Sequence, residues 1–331
     1  MKHKTIAGFF AGVTIALFLP FLVPSSYYLH LIIITVIYAI VASGVALQYR
    51  VGLISLGAAT FWGLGAYVSA LLSLNLNLPL WICSLLAAIT SAIIALLLGF
   101  PAVKSGRIGF IVLTLVMNGI FVQVVGATES LGGWVGLIGI KHLTLPIPFL
   151  ESPGTSAKIP YYFLALCLLG FTVFVFHRLY QSYIGRAWSA IGLDLNLAES
   201  IGITTFRYKL AAFVIAAVSA SLAGSLYASY QGFLVPRAFT IVMSAYFLMY
   251  AIIGGVEFAL VGPIVGTFIG IILPEVLRIS ESFEPLFFGL TLILVMRFLP
   301  RGILSLPRQF PIFSRALQKI GAKWHAYIRS R

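Results

Sequence analysis

Long apolar runs fill most of the chain, and short polar stretches separate them. About 20 consecutive apolar residues are needed for a helix to cross a bilayer, whereas the strands of a membrane barrel alternate polar and apolar positions. The pattern therefore predicts an all-α, polytopic helical membrane protein with about ten transmembrane helices. Their expected spans are 5–24, 29–48, 55–74, 79–99, 109–127, 160–178, 209–230, 240–256, 259–275 and 284–299.

A long polar stretch between two strongly apolar runs extends from 178 to 209. Within it, Trp188, Ile191, Leu195 and Ala198 recur at spacings of three and four, which predicts that they share one face of a helix. Such a stretch is compatible with an ordinary solvated loop between spans. It is equally the kind of element on which a cytoplasmic partner protein docks.

Glycine makes one continuous helix across this interruption unfavourable. A first short helix is expected to end near Gly192, and a second to begin with Asn196 as its N-cap. Glu199, three residues further on, fits a capping box, and Gly202 fits a helix stop.

Composition and charge agree with a membrane protein whose two ends are cytoplasmic. Of the 331 residues, 61% are hydrophobic and only 9% are charged, against about 25% in soluble domains. If the N-terminus is cytoplasmic, 17 of the 21 Lys and Arg residues fall on the cytoplasmic side, as the positive-inside rule requires. We therefore divide the chain into a transmembrane domain, 1–305, and a basic cytoplasmic tail, 306–331, that lies on anionic lipid.

Two features of the apolar runs need a separate interpretation. The run after the basic N-terminus is too long for the core of a signal peptide, so it is expected to remain as the first span. Cys83 and Cys167 both fall inside apolar runs, which is typical of small buried hydrophobic residues and not of a disulfide or a metal pair.

Small residues concentrate in two places. Ser55, Gly57, Gly63 and Gly65 lie in the third span, where they predict either close helix packing or a broken helix that lines a pathway. The second group should form a turn or a broken helix, because proline removes a backbone donor. It consists of Gly254, Gly255, Gly262 and Pro263.

Few polar residues lie within the spans, and such residues usually face a bundle interior or a cavity. Thr114 and Asn118 share one helix face, and Ser244 lies near the outer end of the eighth span. The external loop, 128–159, either caps a pathway mouth or simply connects two spans. The predicted translocation residues are Ser55, Gly57, Gly63, Gly65, Thr114, Asn118 and Ser244.

Motifs for catalysis are absent from the sequence. There is no G-x-x-x-x-G-K-[ST] loop for ATP, no H-E-x-x-H pair for zinc and no G-x-S-x-G elbow for a nucleophile. We expect no catalysis by this chain, no metal site and no cofactor of its own.

Several blocks of sequence, in order, resemble the permease subunits of branched-chain amino acid ABC importers (the LivH/LivM type). They include GLISLGAATFWGLGAY at 52–67, GRAWSAI at 185–191, KLAAF at 209–213, Gly262-Pro263 and PRG at 300–302. The resemblance extends over about residues 30–305. The long external loop with Gly132 and Gly133 favours the LivM branch.

The resemblance implies a subunit that moves solute by alternating access in a bacterial cytoplasmic (inner) membrane. Its implied partners are a second related permease, two cytoplasmic ATPases that hold ATP and Mg, and an extracytoplasmic solute-binding protein. Segment 185–203 would be the coupling segment that rests on an ATPase. The implied coupling residues are Gly185, Arg186, Ala187, Asp194, Glu199 and Gly202.

Two departures from the family pattern bear on the substrate. Gly119 and Tyr246 stand where many members of the family have Glu. Both acids would be suited to meet a substrate ammonium, and the wider family also includes permeases for urea and short amides. The expected substrate is therefore a branched-chain amino acid or a similar small polar solute. The alternatives are a urea or amide permease, and a secondary transporter or channel that works alone.

Overall fold

A computed structural model describes residues 25–140, 155–256 and 260–276, together with Pro20, Phe258, Leu286, Gly289, Leu290, Ile293, Arg297 and 302–305. The helices are α1 (Ser26–Arg50), α2 (Ala58–Leu76), α3 (Leu80–Lys104), α4 (Gly106–Ala127), α5 (Thr155–Gln181), α6 (Tyr183–Leu193), α7 (Leu195–Ser200), α8 (Thr205–Gln231), α9 (Ile241–Gly254) and α10 (Val261–Val276). Short 3-10 helices are Glu129–Leu131, Gly133–Val135, Pro236–Phe239 and Ile303–Ser305. Two strands, β1 (Leu137–Ile138) and β2 (Phe233–Leu234), pair antiparallel.

Helices long and apolar enough to cross a membrane confirm the polytopic, all-helical class. In the described residues there are six of them, α1 to α5 and α8, while α9 and α10 are shorter apolar helices. All eight coincide with predicted spans to within a few residues. The predicted spans 5–24 and 284–299, Glu257 and the tail 306–331 lie outside the described residues or almost wholly so. The total of ten spans and the cytoplasmic ends stay predictions.

Helix α8 is the centre of the bundle because its small residues let three other helices approach it closely. A Cβ at Gly224 of α8 would fall far inside van der Waals contact of the Trp62 carbonyl oxygen in α2. On the same crossing, a Cβ at Gly65 would strike the backbone of Ser221. The Ser221 hydroxyl donates a hydrogen bond of 2.9 Å to the Ala87 carbonyl of α3. Small residues at a helix interface are how membrane helices gain packing energy in lipid.

Helices α3 and α4 lie at the side of the described bundle. They expose rows of large aliphatic side chains along one face. The inward face of α3 carries mostly small residues, and that of α4 carries Thr114 and Asn118 between Phe110 and Phe121. Cys83 is buried in α3, but Cys167 is exposed on α5, so the prediction that both are buried was wrong for Cys167. An exposed thiol is tolerated on a membrane helix because its sulfur is apolar enough for a lipid-facing position.

The external loop is shorter than predicted at its second end, because Thr155–Ile159 already belongs to α5. Its described part folds back on the bundle through β1, where Leu137 pairs with Leu234 and Ile138 with Phe233. The segment 141–154 lies outside the described residues.

A tight break separates α9 from α10. Helix α9 ends at Gly254, and Gly255 has a φ of +102°, which glycine adopts without strain. A Cβ at Gly254 or at Gly262 would collide with the facing backbone, so both positions require glycine for this close return. Pro263 lies in the first turn of α10, where its missing N–H leaves no unpaired donor.

Candidate translocation site and coupling segment

Two arms without α-helix enter the bundle from opposite ends. The inner arm, 51–57, connects α1 to α2, and the outer arm, 232–240, connects α8 to α9. Both α2 and α9 therefore begin inside the bundle, where their first N–H groups need partners other than water. Irregular backbone at this depth is tolerated only where protein or a polar pathway satisfies it.

Hydroxyl groups satisfy the backbone at the start of α2. The Leu56 N–H donates to the Thr114 hydroxyl at 3.2 Å, and the Ala59 N–H donates to the Ser244 hydroxyl at 3.0 Å. Within the inner arm, the Gly57 N–H donates to Ser55 Oγ at 3.2 Å. The polar residues predicted from the sequence thus meet at one point, although they come from three separate helices and the arm.

Asn118 joins the start of α2 to the outer arm. Its side chain is fully buried, and its Nδ2 donates to the Thr60 hydroxyl at 3.1 Å and to the Phe239 carbonyl oxygen at 3.2 Å. A carbonyl oxygen can only accept, so the contact with Phe239 fixes which way the amide points. The amide oxygen Oδ1 is then left without a partner among the described residues.

The depth of this meeting point follows from helix geometry. Asn118 lies near the middle of α4, roughly 18 Å from Gly106 and roughly 14 Å from Ala127 at 1.5 Å per residue. The hydrocarbon core of a bilayer is about 30 Å thick. The starts of α2 and α9 therefore lie at mid-membrane depth.

Aromatic side chains enclose the same point around the fully buried Phe239. Its ring centre lies 4.7 Å from that of Trp62, 5.7 Å from Tyr67 and 6.3 Å from Phe121. Gly63 leaves the space that Phe121 occupies, since a Cβ there would lie 2.5 Å from the Phe121 ring.

Two of these aromatic residues carry polar atoms with no partner among the described residues, the Trp62 indole nitrogen and the Tyr67 hydroxyl. Together with Asn118 Oδ1, these are three buried polar atoms without a described partner, on three residues that each contact Phe239. Each costs about 1–3 kcal/mol when it is left unpaired. Such a concentration is unusual outside a functional site.

The coupling segment, which we define as α6 and α7, is seated on a second and smaller apolar cluster. The indole N–H of the buried Trp188 donates to the Tyr208 carbonyl of α8 at 2.9 Å. Ser182 caps α6 and Asp194 caps α7, the latter by accepting from the Asn196 and Leu197 N–H groups. The buried members of this cluster are Leu47, Val51, Phe176, Trp188, Ile191, Ala198 and Ala212.

The coupling segment also touches the last residue of α1 directly. Arg50 donates to the Ser189 hydroxyl at 3.1 Å, and its guanidinium lies 4.7 Å from the centre of the Tyr180 ring. Gly192 packs so closely on the Arg50 carbonyl that a Cβ there would collide with it. Arg50 is the last residue before the inner arm. The contact with α6 is therefore one residue away from the segment that leads to the start of α2.

The face of the coupling segment that points away from the bundle is apolar and exposed. Leu193 is 89% exposed, Tyr183 is 65% exposed and Leu197 is 63% exposed, and the charged Arg186 is exposed on the same segment. Exposed apolar residues next to a charge are typical of a protein-binding surface. In the part of the chain that the structure describes, no three His, Cys, Asp or Glu side chains are placed to hold a metal ion.

Comparison with known proteins decides the family. The family described as branched-chain amino acid transport system / permease component matches residues 27–296. The chain belongs to this family. No solved structure matches the chain.

The curated relatives of the permease support the same family assignment. It is 32% identical to the high-affinity branched-chain amino acid transport system permease protein LivM of Salmonella typhimurium, over 83% of this chain and 69% of that one. The Escherichia coli LivM protein is 31% identical over the same shares. The Salmonella typhimurium LivH protein is 27% identical, over 82% of this chain and 92% of that one.

The structure of the permease places the predicted pathway residues in two groups. Ser55, Gly57, Thr114, Asn118 and Ser244 converge, and Gly63 lies beside them under Phe121. Gly65 is apart, because it faces α8 as part of a helix crossing. Gln123, on the same span as Asn118, is exposed.

The predicted coupling residues of the permease have different local roles. Gly185 and Ala187 are buried, whereas Arg186 is exposed. Gly202 follows α7 with a φ of +84°, as a helix stop requires. The Glu199 carboxylate does not close a capping box, since it accepts from the Thr205 hydroxyl at 2.7 Å.

Two predictions about the coupling segment were wrong. Asp194, and not Asn196, is the N-cap of α7, because Asp194 has the extended backbone that a cap requires while Asn196 is already helical. Leu195 is 38% exposed and does not share the buried face of Trp188, since the break at Asp194 rotates α7 relative to α6.

Sequence reasoning missed several residues of the permease that complete the two sites. Thr60, Trp62 and Phe239 surround Asn118, and Arg50 fastens α1 to α6 at Gly192, which the sequence indicated only as a helix end. A usable signal existed only for Arg50, as a lone cation at a span end; Thr60, Trp62 and Phe239 look like ordinary residues of a membrane protein.

Replacing the cap of α7 tests its assignment. We expect Asp194→Ala to cost about 1 kcal/mol locally, because two N–H groups lose their acceptor. Hydrogen exchange of the amides in 195–203 should rise roughly fivefold. Asn196→Ala is the matched control and should leave exchange unchanged. The reverse order of effects would restore Asn196 as the cap.

Proposed function

We propose that this chain is the transmembrane permease subunit of an ATP-driven importer for branched-chain amino acids or a similar small polar solute. The observation that carries the proposal is the direct seating of the coupling segment on Arg50, at the start of the inner arm. A displacement of α6 by a cytoplasmic partner would move Arg50, and through the inner arm it would move the start of α2 at mid-membrane depth. Family membership supports the same role.

Alternating access follows from the two arms. The inner arm begins at the coupling segment and ends at the start of α2, while the outer arm begins at the β1–β2 pair and ends at the start of α9. Asn118 holds the start of α2, which the inner arm leads into, to the outer arm through Thr60 and Phe239. Movement of the start of α2 or of the outer arm would break one of these hydrogen bonds and open the site toward one side only.

The remaining parts of the transporter are proposed as separate chains. Two cytoplasmic ATPases hold ATP and Mg and press on the exposed face of the coupling segment. A second related permease completes the membrane pathway, and an extracytoplasmic solute-binding protein delivers the substrate to the outer loops. The assembly lies in the cytoplasmic (inner) membrane of a bacterium.

A secondary transporter or channel working alone is the main alternative. Coupled carriers hold ionisable residues within the membrane to bind protons or sodium. Among the described residues, no Asp, Glu, Lys or Arg side chain is fully buried. This favours an importer powered from outside the membrane, and leaves a permease for urea or short amides as the alternative within the same mechanism.

The test is the ATPase activity of the complex in proteoliposomes. The chain is co-expressed with an ATPase pair, a second permease and a binding protein, and the binding protein is loaded with leucine or with urea. We expect leucine-loaded binding protein to stimulate hydrolysis several-fold over the unloaded form. Stimulation by urea alone would move the substrate to amides. If the chain formed no stable complex with any ATPase, the result would favour a secondary transporter or channel that works alone.

Charge reversal at Arg186 tests the docking face. Arg186 is exposed on α6, so Arg186→Glu removes no internal contact of its side chain and leaves the fold intact. We expect at least a tenfold fall in uptake, because a reversed charge disfavours docking of the ATPase. Arg207→Glu, an exposed site near the start of α8, serves as the control. Unchanged uptake in Arg186→Glu would remove Arg186 from the docking face.

A further inference from the structure

Three observations converge at the middle of the bundle and go beyond the existence of a pathway. Helices α2 and α9 both start there, Asn118 Oδ1 is buried without a partner among the described residues, and aromatic rings enclose the point. The helix starts favour an anionic group, Asn118 Oδ1 favours a hydrogen-bond donor, and the aromatic rings favour an apolar group. A ligand that carries all three groups would fit this point.

The helix starts select an anion. Backbone N–H groups at the first turn of a helix carry a partial positive charge, and two such turns meet here. Ser55 and Ser244 each accept an N–H donor, and no described acceptor takes either hydroxyl proton. A carboxylate placed between them would accept from both hydroxyls and lie at the positive ends of α2 and α9.

Asn118 selects a donor. In the described arrangement both of its amide hydrogens are committed, one to Thr60 and one to Phe239, and Oδ1 is a buried acceptor without a partner. Withdrawal of Phe239 would free one amide hydrogen but would leave Oδ1 as an acceptor. An unpaired acceptor beside an anion site suits a ligand that carries both a carboxylate and an ammonium. The carboxylate would lie at the helix starts, and the ammonium would donate to Asn118 Oδ1.

The ring of Phe239 marks the place of an apolar side chain. It is fully buried against Trp62, Tyr67 and Phe121. It belongs to the outer arm, so movement of that arm would withdraw the ring and leave an apolar space of similar size. An aliphatic side chain of a ligand would fill that space.

We propose that the point where α2 and α9 start is a binding site of the permease itself for a zwitterionic α-amino acid. The carboxylate faces the two helix starts with Ser55 and Ser244, the ammonium donates to Asn118 Oδ1, and the aliphatic side chain replaces the Phe239 ring. This inference rests on the proposed function, and it adds that the permease selects its substrate independently of the binding protein.

The experiment uses the whole complex without its binding protein, in lipid nanodiscs, both free of nucleotide and trapped with ATP and vanadate. Equilibrium binding of tritiated leucine is measured by scintillation proximity. Three competitors probe the groups of the ligand: 4-methylpentanoate lacks the ammonium, isoamylamine lacks the carboxylate, and urea lacks both the charges and the side chain. We expect saturable leucine binding in at least one state, and competition at least tenfold weaker from each of the three.

Variants separate ligand binding from a structural role of Asn118. Asn118→Leu should weaken leucine binding at least tenfold. Thr60→Val removes one hydrogen bond of the Asn118 amide but leaves Oδ1 in place, so it should weaken leucine binding clearly less than Asn118→Leu does. Gly119→Ala, where nothing lies within 4 Å of a new Cβ, controls for substitution on α4. Equal losses in Thr60→Val and Asn118→Leu would make Asn118 a structural clasp only and overturn the proposal.

The remaining outcomes are distinct. A complex that takes up leucine with its binding protein, yet shows no saturable binding without it, would overturn the site and leave the importer intact. Urea that competes as well as leucine would replace the zwitterion site by an amide site. A complex that neither binds nor takes up leucine would contradict the proposed function itself.

Discussion

Gly224→Val is expected to leave almost no folded permease in the membrane. A Cβ at this position falls on the Trp62 carbonyl oxygen and close to the Ala66 backbone nitrogen, and neither atom can rotate away as a side chain would. Helices α2 and α8 would have to separate along the central crossing of the bundle. Overpacking of a core usually costs about 1–3 kcal/mol, and a collision between two backbones should cost more than that.

The measurement for Gly224→Val is the yield and thermal midpoint of the detergent-solubilised protein by size-exclusion chromatography. Gly170→Val is the matched control, because Gly170 lies in α5 with nothing within 4 Å of a new Cβ. The control should elute as the parent does, whereas Gly224→Val should aggregate. A midpoint for Gly224→Val within a few degrees of the control would show that the α2–α8 crossing is looser than described.

The second large effect is expected from Gly192→Val, which should break coupling while the fold survives. The new side chain would collide with the Arg50 carbonyl and lift the end of α6 from α1. The collision lies at the edge of the bundle, where α6 has room to move into solvent. We expect ATP-driven uptake to fall at least tenfold, because the inner arm no longer follows the coupling segment.

A coupling defect has a signature of its own in Gly192→Val. The complex should still assemble and hydrolyse ATP, but loaded binding protein should no longer stimulate that hydrolysis. Ser189→Ala removes the hydrogen bond to Arg50 without displacing α6, so it should lower uptake no more than about twofold. Normal stimulation in Gly192→Val would mean that force reaches the membrane by a route other than Arg50.

The fold of the described chain could be predicted closely from the sequence because a membrane span is a local signal. About 20 apolar residues in a row suffice to place a helix such as α1 or α3, and lipid leaves the backbone no alternative. The start of α2 was predicted three residues too early, at 55 instead of 58. Ser55, Leu56 and Gly57 are apolar or small enough to continue a helix, but in the arm the Leu56 N–H bonds to the distant Thr114 hydroxyl and the Gly57 N–H to the nearby Ser55 hydroxyl.

The candidate site could be predicted only in part. Thr114, Asn118 and Ser244 were found because polar side chains are rare in spans, and rarity is visible in a sequence. Their partner Phe239 was not, since nothing in the chain predicts that a residue 121 positions from Asn118 meets it in space. Gly63 and Gly65 give the same signal two residues apart, yet one makes room for Phe121 and the other for α8.

The choice between Asp194 and Asn196 as the cap of α7 shows the same limit at shorter range. Both residue types cap helices well, so propensity cannot separate them. The backbone decides between them, because it is extended at Asp194. Two residues earlier, Gly192 packs on the Arg50 carbonyl and holds the end of α6 against α1. A tertiary contact thus fixes a local boundary.

The most direct test of the central claim is leucine uptake into proteoliposomes that hold this chain, a second related permease and two ATPases. Tritiated leucine and binding protein are supplied outside, and ATP and Mg are sealed inside or left out. We predict uptake only when ATP is inside, binding protein is outside and this chain is present. Leucine uptake by this chain alone, without ATP or ATPases, would contradict the importer and identify a carrier that works by itself.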